Sequence, residues 1–181
     1  MAQTDFIKIQ KQLRTAVWKA MDEYQMISDG DRVMVCISGG KDSFYQAHVL
    51  TKIYKLKPLA VTFSHNWYSE TGFYNLQRCL QVFELDHLQF TPSRSLVNKI
   101  AKKSLGEIGD SCWHCHSGIG SFPLQVATSF KIPLLVYGES LRENHGSAAY
   151  SDNQSMKYDR DYFNKISAKK TAEEMVGGDI T

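Results

Sequence analysis

Eight residues, Cys36-Ile37-Ser38-Gly39-Gly40-Lys41-Asp42-Ser43, set two glycines, a lysine and two hydroxyls directly after an apolar run. Glycines let a backbone approach a ligand closely, and a helix starting just beyond them presents free N–H groups to an anion. Lys41 adds a point charge suited to pyrophosphate. The chemistry is phosphate binding, and spacing decides which kind. The kinase and GTPase loop needs G-x-x-x-x-G-K followed by Ser or Thr. Here Val35 stands where the first glycine should be and Asp42 follows Lys41, so that reading fails. A dinucleotide G-x-G-x-x-G fails as well. What is left is S-G-G-x-D-S.

A second constellation is Cys112, His114, Cys115 and His116, four metal-type donors within five residues. Two thiolates at C-x-x-C can share one ion, but a closed site needs further ligands. Cys79, His65, His87, His145 and Cys36 are the other candidates. Zinc, an iron–sulfur cluster and a reduced, hydrogen-bonded pair all stay open. A third group, His65, Asn66, Trp67, Tyr68 and Glu70, follows a strand-like run and is placed to touch substrate. His65 reads equally well as a satisfied loop histidine, and Trp67 as core. Glu139 and Glu143 are candidates for holding magnesium or positioning ammonia; Arg142, Arg160, Lys169 and Lys170 read as solvated surface.

These residues need elements to hold them. Residues 5–27 carry Phe6, Ile9, Leu13, Val17, Met21 and Tyr24 at helical spacing. Residues 32–37 form a short apolar run expected of a strand covered on both faces. A helix is expected from the glycine loop, with a Ser43–Gln46 capping box and Phe44, Ala47, Leu50 and Tyr54 on one face. Strand 58–63 and a helix with Phe73, Leu76, Leu80 and Phe83 inward follow. Next come a weaker strand ended by Pro92, a helix with Leu96, Val97, Ile100 and Ala101, a short helix at 122–130 with Pro123 in its first turn, and strand 132–137. Alternating strands and helices imply an α/β fold, a doubly wound parallel sheet with helices on both faces. Ligands bind at the carboxyl ends of such strands, so 38–43, 64–70 and 138–143 share one rim. The expected division is an N-terminal helix over 1–30, an ATP-binding domain over 31–140, and a polar loop with an unpartnered C-terminal helix over 141–181.

At 181 residues and 43% hydrophobic, the chain can close one core. A net charge of +2 gives no argument for nucleic acid. No apolar run approaches the roughly 20 residues of a membrane span. The N-terminus has no signal-peptide pattern, and the cysteine usage fits a reducing cytoplasm.

S-G-G-K-D-S resembles the PP-loop of the N-type ATP pyrophosphatases, all six positions matching. That resemblance implies a Rossmann-like, adenine nucleotide alpha hydrolase-like fold and cleavage of ATP between the α and β phosphates. Ser38, Gly39, Gly40, Lys41, Asp42 and Ser43 would bind ATP and pyrophosphate with Mg2+, and Lys41, Asp42 and Glu139 would be catalytic. The stretches 61–76, 108–127 and 137–140 look like those of the N-acetyl sugar amidotransferases of lipopolysaccharide and O-antigen synthesis. This implies conversion of an acetamido group on a nucleotide-linked sugar into an acetamidino group, with ammonia from a separate glutaminase. The runner-up is a PP-loop tRNA thiolase, in whose C-x-x-C an iron–sulfur cluster is held; the near-neutral charge speaks against it. A third reading is an idle nucleotide-binding remnant, suggested by the short C-terminal segment.

Overall fold

A computed structural model of the chain describes residues 3–26, 30–138, 160–162, 164 and 168–177. Helix α1 covers Gln3–Glu23 and strand β1 Val33–Cys36. Helix α2, Lys41–His48, is prolonged by one wider turn over Val49–Ile53. Then come β2 (Leu59–Phe63), α3 (Glu70–Phe83), β3 (His87–Phe90), α4 (Arg94–Ile108), α5 (Trp113–Ser129) and β4 (Leu134–Val136). Two short helices close the described chain, α6 (Arg160–Tyr162) and α7 (Ala172–Val176).

The strands form one parallel sheet in the order β3-β2-β1-β4, with Met34 opposite Leu59 and Leu135. Period-two alternation sends β1 side chains to opposite faces. Val33, Val35 and Ile37 pack with Ala47, Leu50, Leu76, Cys79, Leu80 and Phe83 from α2 and α3. Met34 joins Val61, Val126, Ala127 and Ile132 on the other side, under α5. Both faces are covered, as the uninterrupted apolar strands require.

Three expectations need correction. The Ser43–Gln46 capping box does not form: α2 begins at Lys41 with Gly40 as N-cap and no side-chain cap, because the Ser43 hydroxyl is held within the loop. Phe73 is not inward but 52% exposed, and Cys79 takes the buried position. Helix α5 starts at Trp113 rather than near Pro123, which lies inside it. Proline there removes the N–H that would bond the Ile119 carbonyl, and that carbonyl instead accepts from the Tyr137 hydroxyl at 3.3 Å.

The tail also differs from expectation. The helical pattern at 159–176 is two short pieces among the described residues, and the tail has a partner. Ala168 and Met175 are buried with Ile100 of α4 and Trp113 of α5. The Trp113 indole donates to the Lys170 carbonyl at 3.2 Å, and Lys170 Nζ reaches Glu107 at 2.6 Å. The expected loop at 141–157 lies outside the described residues.

Helix α5 comes so close to β2 that a Cβ on Gly118 would lie 2.2 Å from the Phe63 ring. That ring is backed by Phe90 at 5.8 Å between centroids. Gly118→Ala is expected to destabilise the protein by about 1–2 kcal/mol, the overpacking exceeding alanine's better helix propensity. Urea unfolding measures it; an unchanged midpoint would mean that α5 does not rest on Phe63.

Candidate functional site

The S-G-G-K-D-S loop crosses from β1 to α2 at the carboxyl edge of the sheet. Its inner frame is made of hydroxyls. Ser43 Oγ accepts the Ser38 N–H at 2.9 Å and lies 3.0 Å from Ser38 Oγ. Gly39 has φ +87°, and a Cβ there would stand 2.9 Å from the Leu76 backbone nitrogen and 3.1 Å from the Gly72 carbonyl. Both the conformation and the close approach to α3 demand glycine. The start of α2 carries no side-chain cap, so its first-turn N–H groups face the rim.

Lys41 and Asp42 project from this turn. Their side chains are 90% and 62% exposed and meet at 2.8 Å. The hydrogen bond to Asp42, with its negative charge, pushes the Lys41 pKa up. A lysine kept charged beside a free helix start suits a pyrophosphate group. The Ser38–Ser43 frame is thus assembled as the sequence suggests, with Lys41 and Asp42 outermost. Glu139 and Glu143 lie outside the described residues.

The segment after β2 joins this loop to the cysteines. Ser69 caps α3, accepting the Gly72 N–H at 3.1 Å, and Gly72 in turn lies against Gly39. The His65 and Tyr68 rings stand 4.3 Å apart, and His65 Nδ1 accepts the Trp67 N–H at 3.0 Å. Asn66, at φ +66°, spends its side-chain amide on the Pro92 carbonyl at 2.6 Å. The Trp67 indole donates to Asn98 at 3.4 Å, and its ring lies edge-on to His114 at 4.8 Å. Glu70 is exposed in the first turn of α3. Of the five expected substrate residues, Asn66 is therefore committed to holding the loop, while His65, Trp67 and Tyr68 form an aromatic wall.

Cys112 and Cys115 sit at the start of α5. Asp110 fixes that start: its Oδ1 accepts the Cys112 N–H at 2.7 Å, and its Oδ2 lies 3.4 Å from His116 Nδ1. Burial of the Tyr68 hydroxyl, with the charge of Cys115 beside it, pushes the Tyr68 pKa up. Trp67 packs against His114, which stands between the two cysteines, so the aromatic wall and the C-x-x-C are neighbours.

The thiols supply two ligands for a metal or cluster, and no set of three suitable donors assembles among the described residues. Cys79 is wholly buried in the core, which pushes its thiol up to about 11. Cys36 is engaged by the Tyr137 hydroxyl, and burial pushes it up to about 12. Neither can complete a site as it stands. His87 pairs with Thr62 Oγ1 at 2.9 Å and His116 faces Asp110, while His145 lies outside the described residues. Among the described residues, Cys112 and Cys115 are thus two donors without a third.

Sequence reasoning missed the polarity beneath this wall. His114 is only 5% exposed, yet neither ring nitrogen has a hydrogen-bond partner, and the Ser117 hydroxyl one turn on is also buried without one. Burial dominates and lowers the His114 pKa; the nearby backbone of His65 and Ser111 pulls the other way, but neither meets the ring at hydrogen-bond geometry. His65 and His87 are lowered by burial too. Histidines that resist protonation only when folded stabilise the native state above their ordinary pKa of 6.5, and this is lost as pH falls. Unfolding midpoints in urea should be flat above about pH 7 and drop between roughly pH 6.5 and 5. His87→Gln should reduce that drop; a pH-independent midpoint would contradict the burial.

No family model matches the chain. Curated relatives include tRNA-cytidine(32) 2-sulfurtransferases. That of Dichelobacter nodosus is 54% identical over 52 residues, 29% of this chain and 20% of the relative. That of Aliivibrio salmonicida is 48% identical over 58 residues (32% and 19%), and that of Saccharophagus degradans 51% over 55 (30% and 18%). The match spans about a fifth of those relatives' length. Among solved structures, the U34-tRNA thiolase NcsA from Methanococcus maripaludis, with its 4Fe-4S cluster, is similar at TM-score 0.50 and 19% identity. That similarity covers 66% of this chain and 41% of that one. The fold is the Rossmann-like one of PP-loop proteins, as the sequence implied.

These relatives overturn the sugar-amidotransferase expectation. They act on tRNA and transfer sulfur, which removes the nucleotide-linked sugar, the O-antigen role, the ammonia-supplying glutaminase and the exclusion of nucleic acid. The structure shows why 61–76 misled: Asn66, Ser69 and Gly72 serve loop and helix geometry, which need not differ between substrates. The charge argument also fails locally. Helix α4 carries Arg94, Lys99, Lys102 and Lys103 against the single acid Glu107.

Proposed function

We propose that this chain is the ATP-binding part of a tRNA sulfurtransferase. The observation that carries this is the continuity of one rim: the S-G-G-K-D-S loop, the aromatic wall and the C-x-x-C succeed one another through the Gly39–Gly72 approach and the Trp67–His114 ring contact. The relatives' names supply the substrate class, tRNA, and the transferred atom, sulfur.

In this reading the loop N–H groups and Lys41 would hold the β and γ phosphates, and Asp42 would supply a carboxylate to a Mg2+ that neutralises phosphate charge. The carbonyl oxygen of the target base attacks the α-phosphate, and pyrophosphate leaves into the loop. A persulfide on Cys112 or Cys115, loaded from an external sulfane-sulfur donor, adds through its outer sulfur to the activated carbon, and AMP departs with the original oxygen. The other thiol of the pair then attacks the S–S bond, releasing the thiolated base and leaving a disulfide that an external thiol reduces. Adenylation is needed because a base carbonyl is a poor electrophile and its oxygen a poor leaving group. The basic face of α4 would meet the RNA backbone. Among the described residues no helix is long and apolar enough to cross a membrane. Reduced cysteines handling sulfur on tRNA suit the cytoplasm.

The test supplies the chain with ATP, an unmodified tRNA, a polysulfide as sulfane-sulfur donor and a thiol reductant. AMP and pyrophosphate appearing only with tRNA, with sulfur found in the RNA by mass spectrometry, is the expected result. ADP and phosphate, or turnover indifferent to RNA, would overturn the reading.

A further inference from the structure

Most buried polar side chains near the rim are satisfied. His87 meets Thr62, Thr62 donates to the Ile37 carbonyl, and Ser43 is locked to Ser38. Gln46 Oε1 on α2 is one exception; the larger one is the pair His114 and Ser117, whose three polar atoms, His114 Nδ1 and Nε2 and Ser117 Oγ, are buried without a partner among the described residues. They stand three residues apart on α5, so both lie on the same side of that helix. Leaving such groups unpaired is costly, and a native structure that does so holds them for something.

What covers them points to the occupant. Trp67 stands edge-on over His114, is itself 38% exposed, and is tied down only by a 3.4 Å indole hydrogen bond to Asn98. A neutral imidazole offers one donor and one acceptor, and a serine hydroxyl offers both. An aromatic wall over a floor of paired donors and acceptors matches an unstacked nucleobase, which stacks through its face and hydrogen-bonds through its edge.

We infer that Trp67, His114 and Ser117 form the pocket that receives the target pyrimidine, Trp67 swinging aside to stack on it while His114 and Ser117 bond its polar edge. This rests on the tRNA reading and names the residues that select the base. No covalent step is assigned to His114 or Ser117. They are specificity-determining contacts.

The probe is a synthetic RNA hairpin with one unpaired cytidine in its loop, beside the same hairpin made abasic at that position. The wild-type chain should bind the cytidine hairpin roughly tenfold or more tightly, the gain expected of one stacked and hydrogen-bonded base. His114→Phe keeps a flat ring but no nitrogen, and should bring the ratio of the two affinities close to one. Ser117→Ala, a smaller change that guards against misfolding, should lower it several-fold. A ratio unchanged in both variants overturns the pocket. Equal binding of both hairpins by the wild type also overturns the pocket but leaves tRNA as substrate, whereas no binding of either overturns the tRNA reading itself.

Discussion

Lys41→Ala is expected to lower AMP formation by roughly two to three orders of magnitude, the usual effect of removing a charge aimed at a developing anion. The fold should hardly notice. The Lys41 side chain is 90% exposed and pairs only with its neighbour Asp42, an exposed ion pair of the kind that contributes little to stability. A product assay and a urea titration on the same preparation separate the two effects. Full turnover in the variant would remove Lys41 from the phosphate site and, with it, the assignment of the loop. A loss of stability beyond about 1 kcal/mol would show that the lysine braces the turn rather than the ligand.

The second large effect belongs to the thiols. Cys112→Ser and Cys115→Ser should each reduce sulfur incorporation into RNA by at least about a thousandfold while AMP formation survives within a few-fold. A serine hydroxyl cannot carry transferable sulfur, yet it occupies nearly the same volume. At position 112, the N-cap of α5, serine is a preferred capping residue, so the helix start should persist. The split between the two half-reactions is what matters. If sulfur incorporation continues in both variants, the nucleophile reaches the base without the pair. If AMP formation falls as steeply, the cysteines support the ATP site rather than sulfur transfer.

How much of this could be read from residues alone varies with the kind of signal. Strands β1, β2 and β4 were legible because a strand buried on both faces must be an unbroken apolar run. The phosphate loop was legible because few sequences place two glycines, a lysine and framing serines between such a run and a helix. Helix α3 shows the first kind of failure. Its apolar periodicity suggested Phe73, but the stripe that meets the sheet is Leu76, Cys79, Leu80 and Phe83, which leaves Phe73 facing solvent. Helix α5 shows the second. Gly118, Gly120 and Pro123 all argue against a helix locally, and only contact with Phe63 and the Tyr137 hydroxyl makes that stretch acceptable as one. The buried polarity of His114 and Ser117 left no trace in the sequence, since a histidine between two cysteines reads first as a ligand. Net charge failed for a simpler reason: +2 over the whole chain conceals the cations gathered on α4.

Pro123 and Tyr137 are fourteen positions apart yet answer to each other. The proline deprives one carbonyl of its helical partner, and the phenol end of Tyr137 takes that carbonyl up while also engaging the Cys36 thiol just ahead of the loop. An imperfection in one helix has become the peg that fastens the cysteine-bearing helix to the strand feeding the S-G-G-K-D-S loop. The two residues should therefore be inherited as a couple. A descendant that restored a regular residue at 123 would free the tyrosine from its duty, and one that lost the tyrosine first would be left with a stranded carbonyl. The order in which those changes can be accepted is set by one hydrogen bond.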